Sequence, residues 1–155
     1  MFNKTIMNVR FIKSPEKREI VKELNSQFGI TSLPYLLLQT GKEKIRGFSG
    51  SMTKEEIIQL SKLTNIEIIG LYMFKKEHDY RLTIDAAHLL KDQINKNILE
   101  ITDEQLHEWL RGRDLEIIHP QATLIIKNKS DFIGCGRSNE KKIFNYIPKD
   151  RRLRK

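Results

Sequence analysis

The chain has 155 residues, of which 39% are hydrophobic and 31% charged, with a formal net charge of +8 and a pI near 9.6. That length buries a core in one domain or two small ones, no apolar run approaches the roughly 18 residues of a membrane span, and the positive excess favours polyanionic partners through counterion release. Cys135 is the only cysteine, which excludes a disulfide or a cysteine-based zinc cluster within one chain.

In chain order, the stretch from Met1 to Arg10 lacks the apolar core and small-residue cleavage site of a signal peptide, so a soluble, cytoplasmic protein is expected. Ser14 before Pro15 reads as a helix cap, and Ile20, Val21, Leu24 and Phe28, followed by Gly29, predict an amphipathic helix over 15–28. Tyr35 to Gln39 reads as a buried strand, joined by the turn Thr40-Gly41-Lys42 to a second strand through Ile45 to Phe48. Thr53 and Glu56 form a capping box for a helix whose apolar face is Ile57, Ile58, Leu60 and Leu63, ending at Asn65. Ile66 to Phe74 is a β-rich run, Lys75 to Asp79 a polar turn, and Tyr80 to Ile84 an alternating strand. Asp85 then caps a short helix through Leu90.

A second unit opens with Ile98 to Ile101, and Thr102 with Gln105 forms another capping box before a helix through Trp109 and Leu110 that Gly112 stops. Leu115–Ile118, Ala122–Lys127, Phe132–Arg137 and Lys142–Ile147 are four short β-type runs, so a five-strand barrel with one helix is expected. Charge concentrates at the end of the chain. Between Arg137 and Lys155, eight basic residues stand against Glu140 and Asp150.

Three ordered motifs carry a family resemblance: Trp109-Leu-Arg-Gly112 at a helix end, Gly134-Cys-Gly136 in a strand, and Asn145-Tyr-Ile-Pro-Lys149 at the terminus. Over about Leu99 to Leu153 the chain resembles the C-terminal PUA-type RNA-binding domain of rRNA cytosine-C5 methyltransferases. Its whole layout also resembles the pre-PUA plus PUA order of Nip-type ribosome-biogenesis factors, with Phe74 to Leu82 similar to their lysine-rich turn and strand. The resemblance implies an α+β fold in which a pre-PUA-like α/β domain, residues 1–94, packs on a PUA-like small β-barrel, residues 95–155. It further implies RNA binding, to rRNA or tRNA, in ribosome biogenesis or RNA modification. The methyltransferases' cofactor-binding domain and catalytic cysteines have no counterpart in these residues, so no enzyme activity and no cofactor are expected.

Arg111 and Arg113 flank Gly112 at a helix end, where guanidiniums can meet a phosphate or stack on a base; the plain alternative is solvated helix-end charge, and their place around the glycine of the PUA-type motif favours RNA contact. Lys149, Arg151 and Arg152, with Arg154 and Lys155, form a tail able to lie along an RNA backbone, against the plain alternative of a frayed terminus. Lys75, Lys76 and Arg81 can extend that surface from the first unit, and an exposed Tyr146 is a stacking candidate. Trp109 is expected in the core, and Cys135 as a small buried residue. The four histidines show no metal-ligand spacing. Two other readings stand beside the RNA binder: a detached RNA-specificity subunit of a separately encoded RNA methyltransferase, and a protein-interaction adaptor in a preribosomal particle.

Overall fold

Ile20, Leu24 and Phe28 lie one turn apart and are the buried residues of the first helix, α1, Ser14–Phe28. Its start differs from expectation. Lys13 occupies the N-cap without a side-chain cap, so Ser14 and Pro15 are already helical, and proline's missing donor costs nothing in the first turn. Gly29 ends the helix with φ +87°, and a Cβ there would stand 2.0 Å from the Asn95 side chain. These coordinates are a computed structural model that describes residues 9–154; Met1 to Asn8, read above for a targeting signal, and Lys155 of the basic tail lie outside them. Among the described residues, no helix is long and apolar enough to cross a membrane.

Five strands form an antiparallel sheet in chain order: β1 (Val9–Phe11), β2 (Leu36–Thr40), β3 (Lys44–Phe48), β4 (Leu71–Lys76) and β5 (Tyr80–Leu82). Helix α1 packs on one face, with Leu37, Ile45, Met73 and Phe74. Met73 and Phe74 are adjacent, yet both reach this core. Ile45 pairs with Phe74 and Arg46 with Tyr72, so Met73 is an extra residue, and a bulge lets neighbours share one face.

Helix α2 (Lys54–Leu63) covers the other face through Ile57, against Leu38 and Ile69, and carries the expected Thr53–Glu56 capping box. The rest of its expected apolar face is not buried: Ile58 and Leu60 are exposed and Leu63 is 80% exposed. The helix ends at Leu63 with Thr64 as its C-cap, short of Asn65. Residues 66–70 form no strand, because Gly70 turns with φ +73° hard against the Gly47 carbonyl, 2.7 Å from where a Cβ would sit. Lys75 and Lys76 consequently belong to β4 and not to a turn. Strand β5 ends at Leu82, since the Thr83 hydroxyl captures the Ala86 N–H at 3.1 Å and starts helix α3 (Ile84–Leu89); Asp85 lies inside the first turn and is not the cap.

The second sheet has the order β6 (Ile98–Glu100), β7 (Ala122–Asn128), β8 (Asp131–Ser138), β9 (Ile143–Asn145), with β6 parallel to β7 and the other pairs antiparallel. Helix α4 (Asp103–Leu110) has the expected capping box. The run Leu115–Ile118 supplies one bridge, Leu115 to Ile143, in place of a fifth strand. The Ile117 N–H bonds back to the Leu115 carbonyl at 2.9 Å, which turns the chain out of the ladder. Trp109 is fully buried, donates its indole N–H to the Ile133 carbonyl at 3.1 Å, and lies against Gly136, where a Cβ would be 2.7 Å from the ring.

The two sheets share material. Ile125 of β7 and Cys135 of β8 join the core under α1, whereas Leu124 and Ile126, on the opposite face of β7, join Trp109, Leu115, Ile143 and Ile147 in the second core. Every buried side-chain nitrogen and oxygen among the described residues has a hydrogen-bond partner. Replacing Trp109 with Ala removes the largest side chain of the second core and orphans the Ile133 carbonyl. It is expected to lower unfolding free energy by about 3–5 kcal/mol in urea titrations.

Candidate nucleic-acid interface

Strands β3 to β5 and the segment from Tyr146 to Arg151 enclose a cleft of about 310 Å³, floored by Gly134 and Cys135. Its cations are individually positioned. Arg46 donates to the Ile69 and Gly70 carbonyls, each at 3.2 Å, so the loop before β4 fixes its guanidinium. Lys75 pairs with Glu77 at 3.1 Å and with Glu43 at 3.7 Å. Arg81 forms a two-point contact with Glu77, with Nε to Oε2 at 2.8 Å, and its guanidinium carbon lies 3.7 Å from the Tyr146 ring centre. Arg151 pairs with Asp85 at 3.1 and 3.4 Å.

Tyr146 faces the cleft because of its neighbour. Asn145 donates its amide to the Trp109 and Arg113 carbonyls, at 2.7 and 3.0 Å, and accepts from the Ile147 N–H at 2.8 Å. This clip ties the end of β9 to the end of α4. Ile147 is buried behind it, and Tyr146 is left half-buried between the two sheets.

An open basin beside the cleft is lined by Lys42, Lys44, Glu43 and Glu67, and shares Arg46 and Lys75 with it. Lys44 also stands 5.3 Å above the Tyr72 ring. A band of cations thus runs from the β2–β3 turn, across Arg46 and Lys75, to Arg81 and Arg151.

Of the residues singled out by sequence, Lys75, Arg81, Tyr146 and Arg151 meet in this cleft. Lys76 is elsewhere: neighbouring strand residues face opposite ways, and it pairs with Glu23 of α1 with its amine 4.4 Å above the Tyr80 ring. Arg111, Gly112, Arg113 and Arg152 gather at the end of α4. Gly112 has φ +84°, and the Arg152 side chain lies where a Cβ would be, 2.2 Å from its Nε, while that Nε donates to the Ile147 carbonyl at 3.0 Å. The Leu153 N–H bonds to the Leu110 carbonyl at 2.8 Å, so the chain through Leu153 folds back onto α4 in place of fraying. Arg113 pairs with Glu108 at 2.6 Å. Arg111 and Lys149 are exposed and have no side-chain partner among the described residues.

Sequence reasoning missed Arg46, Lys44 and Tyr72. Lys44 and Arg46 alternate with buried Ile45 and Gly47, a period-two signal that places both on one face of β3. The pairing of Arg46 with Tyr72 across the bulge leaves no trace in sequence. Burial pulls the Arg81 guanidinium down more than any other single cause, yet the Glu77 hydrogen bond together with the charges of Tyr146, Glu77 and Tyr72 offsets it and leaves the group above its ordinary range. The Glu77 carboxyl is held below its ordinary range, by the Arg81 hydrogen bond first and despite partial burial. Burial pushes the Cys135 thiol up to about 12, with its sulfur accepting the Leu82 N–H at 3.2 Å.

Residues 96–153 match the family model of the methyltransferase RsmF PUA domain. Over 145 residues, 90% of this chain, the sequence is 23% identical to the ribosomal RNA small subunit methyltransferase F of Psychromonas ingrahamii, and it spans 30% of that protein's length. The fold resembles that of a conserved PUA domain protein from Thermoplasma acidophilum with a TM-score of 0.59, at 16% identity, covering 88% of this chain and 92% of the other. The C-terminal part is therefore PUA-like, in an α+β fold, and the chain resembles the C-terminal region of an rRNA methyltransferase.

Two outcomes follow from the ionisations. With its thiol protonated and buried, Cys135 reacts with a disulfide reagent at pH 8 only at the rate of protein opening, and rapidly in denaturant, as thiol titration will report. Because the carboxyl of Glu77 is lowered on folding, its stabilisation is complete above the ordinary carboxylate range and is lost as pH falls through the lowered value. Glu77→Gln should therefore cost up to about 1 kcal/mol at neutral pH and flatten the acid limb of stability against pH in urea titrations.

Proposed function

We propose that this chain is a non-catalytic RNA-binding protein that engages rRNA or tRNA in ribosome biogenesis or RNA modification, in the cytoplasm. The PUA match over residues 96–153 supplies the class of ligand. The observation that carries the reading is that Arg46, Lys75, Arg81 and Arg151 line one cleft together with Tyr146, whose ring lies against Arg81. Cations of this kind take up phosphate oxygens, and an aromatic face among them offers a sequence-tolerant stacking surface. Residues 1–94 act as a pre-PUA-like unit supplying one wall, and residues 95–155 as the PUA-like unit supplying the other. Exposed Arg111 and Lys149 extend the surface toward the end of α4, whereas Arg152 serves mainly to hold the terminal segment over Gly112.

A second reading makes the chain a detached RNA-specificity subunit of a separately encoded RNA methyltransferase. The similarity to an rRNA methyltransferase supports it. So do the exposed apolar side chains of Leu63 and Ile68, 80% and 73% exposed, which suit a protein neighbour.

The test is binding of labelled rRNA and tRNA fragments across a salt series. Log affinity is expected to fall with log salt at about 0.7–0.9 per phosphate contact. Substituting Lys75, Arg81 and Arg151 together with Ala should weaken binding at least tenfold at low salt and make the slope shallower, as expected when cations are lost from an RNA-binding surface. Lys76→Ala should leave both unchanged. Failure of the intact protein to bind any RNA at low salt overturns the proposal.

A further inference from the structure

The cleft and the basin differ in kind. The basin is open and its cations stand on the β2–β3 hairpin, while the cleft is smaller and walled by Leu71, Ile84, Ile147 and Pro148 as well as by charge. At about 310 Å³ it lies at the lower end of the range for small-ligand sites, roughly 300–1,000 Å³, and so is sized for one planar group and its immediate attachments. Its flat surfaces are held in advance of binding. Glu77 fixes the Arg81 guanidinium, Tyr146 stacks on it, and the Asn145 clip fixes Tyr146. Charge is unevenly distributed along the opening. Arg46 and Lys75 continue into the lysines of the basin, whereas the other end carries Asp150 and the paired Asp85 and Arg151, where carboxylates repel a phosphate and accept N–H groups.

From this arrangement we infer that the cleft receives one unstacked base of single-stranded RNA, seated against the Arg81–Tyr146 stack, with the adjoining phosphates over Arg46 and Lys75 toward Lys42 and Lys44. The inference rests on the RNA-binding reading and adds to it a strandedness and a polarity. A base paired within a duplex presents only its edge to a protein, so it cannot enter between these walls. The base's amino and imino groups point to Asp85 and Asp150, and its face lies on a guanidinium–phenol stack that any of the four bases can use.

The experiment compares the full chain's affinity, by fluorescence anisotropy at low salt, for three probes: a fluorescein-labelled nine-nucleotide single-stranded RNA of mixed sequence, a wholly abasic strand of the same length and charge, and a duplex of the first strand with its complement. The single strand should bind about tenfold more tightly than either other probe, the gain expected of one stacked base. Tyr146→Leu and Arg81→Lys should each reduce single-strand affinity toward that of the abasic strand while changing abasic affinity less than twofold. Arg81→Lys keeps the charge, and the abasic comparison needs no variant at all, so a folding defect in Tyr146→Leu does not shield the inference. Equal affinity for single-stranded and abasic probes, or duplex binding as tight as single-strand binding, overturns the base seat and leaves RNA binding standing. Absence of binding to all three probes overturns both.

Discussion

Strand β7 belongs to two cores at once, and the position of the cleft depends on it. Ile125 points into the apolar cluster under α1, while Leu124 and Ile126 point into the cluster around Trp109. A one-residue slip of β7 would send every one of these side chains to the wrong core, so the packing of both clusters specifies the register. Cys135, opposite Ile125 on β8, completes the joint: it is buried, and its sulfur takes the N–H of Leu82 on β5. The floor of the cleft is thus bonded to one of its walls.

The same joint aligns charge. Asp79, in the turn before β5, accepts from Thr123 of β7 at 2.9 Å and from Arg137 of β8 at 3.3 Å, so the turn that delivers Arg81 is tied to the second sheet. Arg81 then meets Tyr146, which the Asn145 clip presents from the other side. Glycines permit the close approaches this requires. At Gly134 φ is +97° and Ile84 of α3 lies 3.1 Å from where a Cβ would be, which lets the helix settle on β8.

Most cations of the cleft already have carboxylate partners, and this suits exchange. Lys75 with Glu77 and Glu43, and Arg151 with Asp85, are solvent-exposed pairs, with side chains between 32% and 50% exposed. Such pairs are worth about 0–1 kcal/mol each, so Lys75 exchanges its carboxylates for an arriving phosphate at little cost, and Asp85 can turn from Arg151 to a new donor as cheaply. Arg81 differs. Its two-point contact and its stacking on Tyr146 make it a fixed platform. Mobile charge at the rim and a rigid surface inside is an arrangement that captures a polyanion first and orders it second.

Elements whose boundaries rest on local bonds were legible in the sequence. The capping boxes at Thr53 and Thr102, the glycine stop of α1, the β2–β3 hairpin and the buried Trp109 are all present. Where local signals competed, tertiary contacts decided. Thr83 displaced Asp85 as the cap of α3, the β-rich stretch before Gly70 stayed out of the sheet because Gly47 occupies the space beside that glycine, and Leu115 to Ile118 gave one bridge because Ile117 turned back on Leu115. The sequence by itself determined the excess of cations, the α+β order of elements and the PUA-like terminus, since composition, caps and turn residues act over a few positions. Only the tertiary structure decided that Arg46, Lys75, Arg81, Tyr146 and Arg151 share a cleft while Lys76 faces α1 and Arg152 covers Gly112. Those groupings depend on a bulge at Met73, the shared strand β7 and the return of the terminal segment onto α4, which join residues far apart in the chain and therefore leave no periodic signal along it.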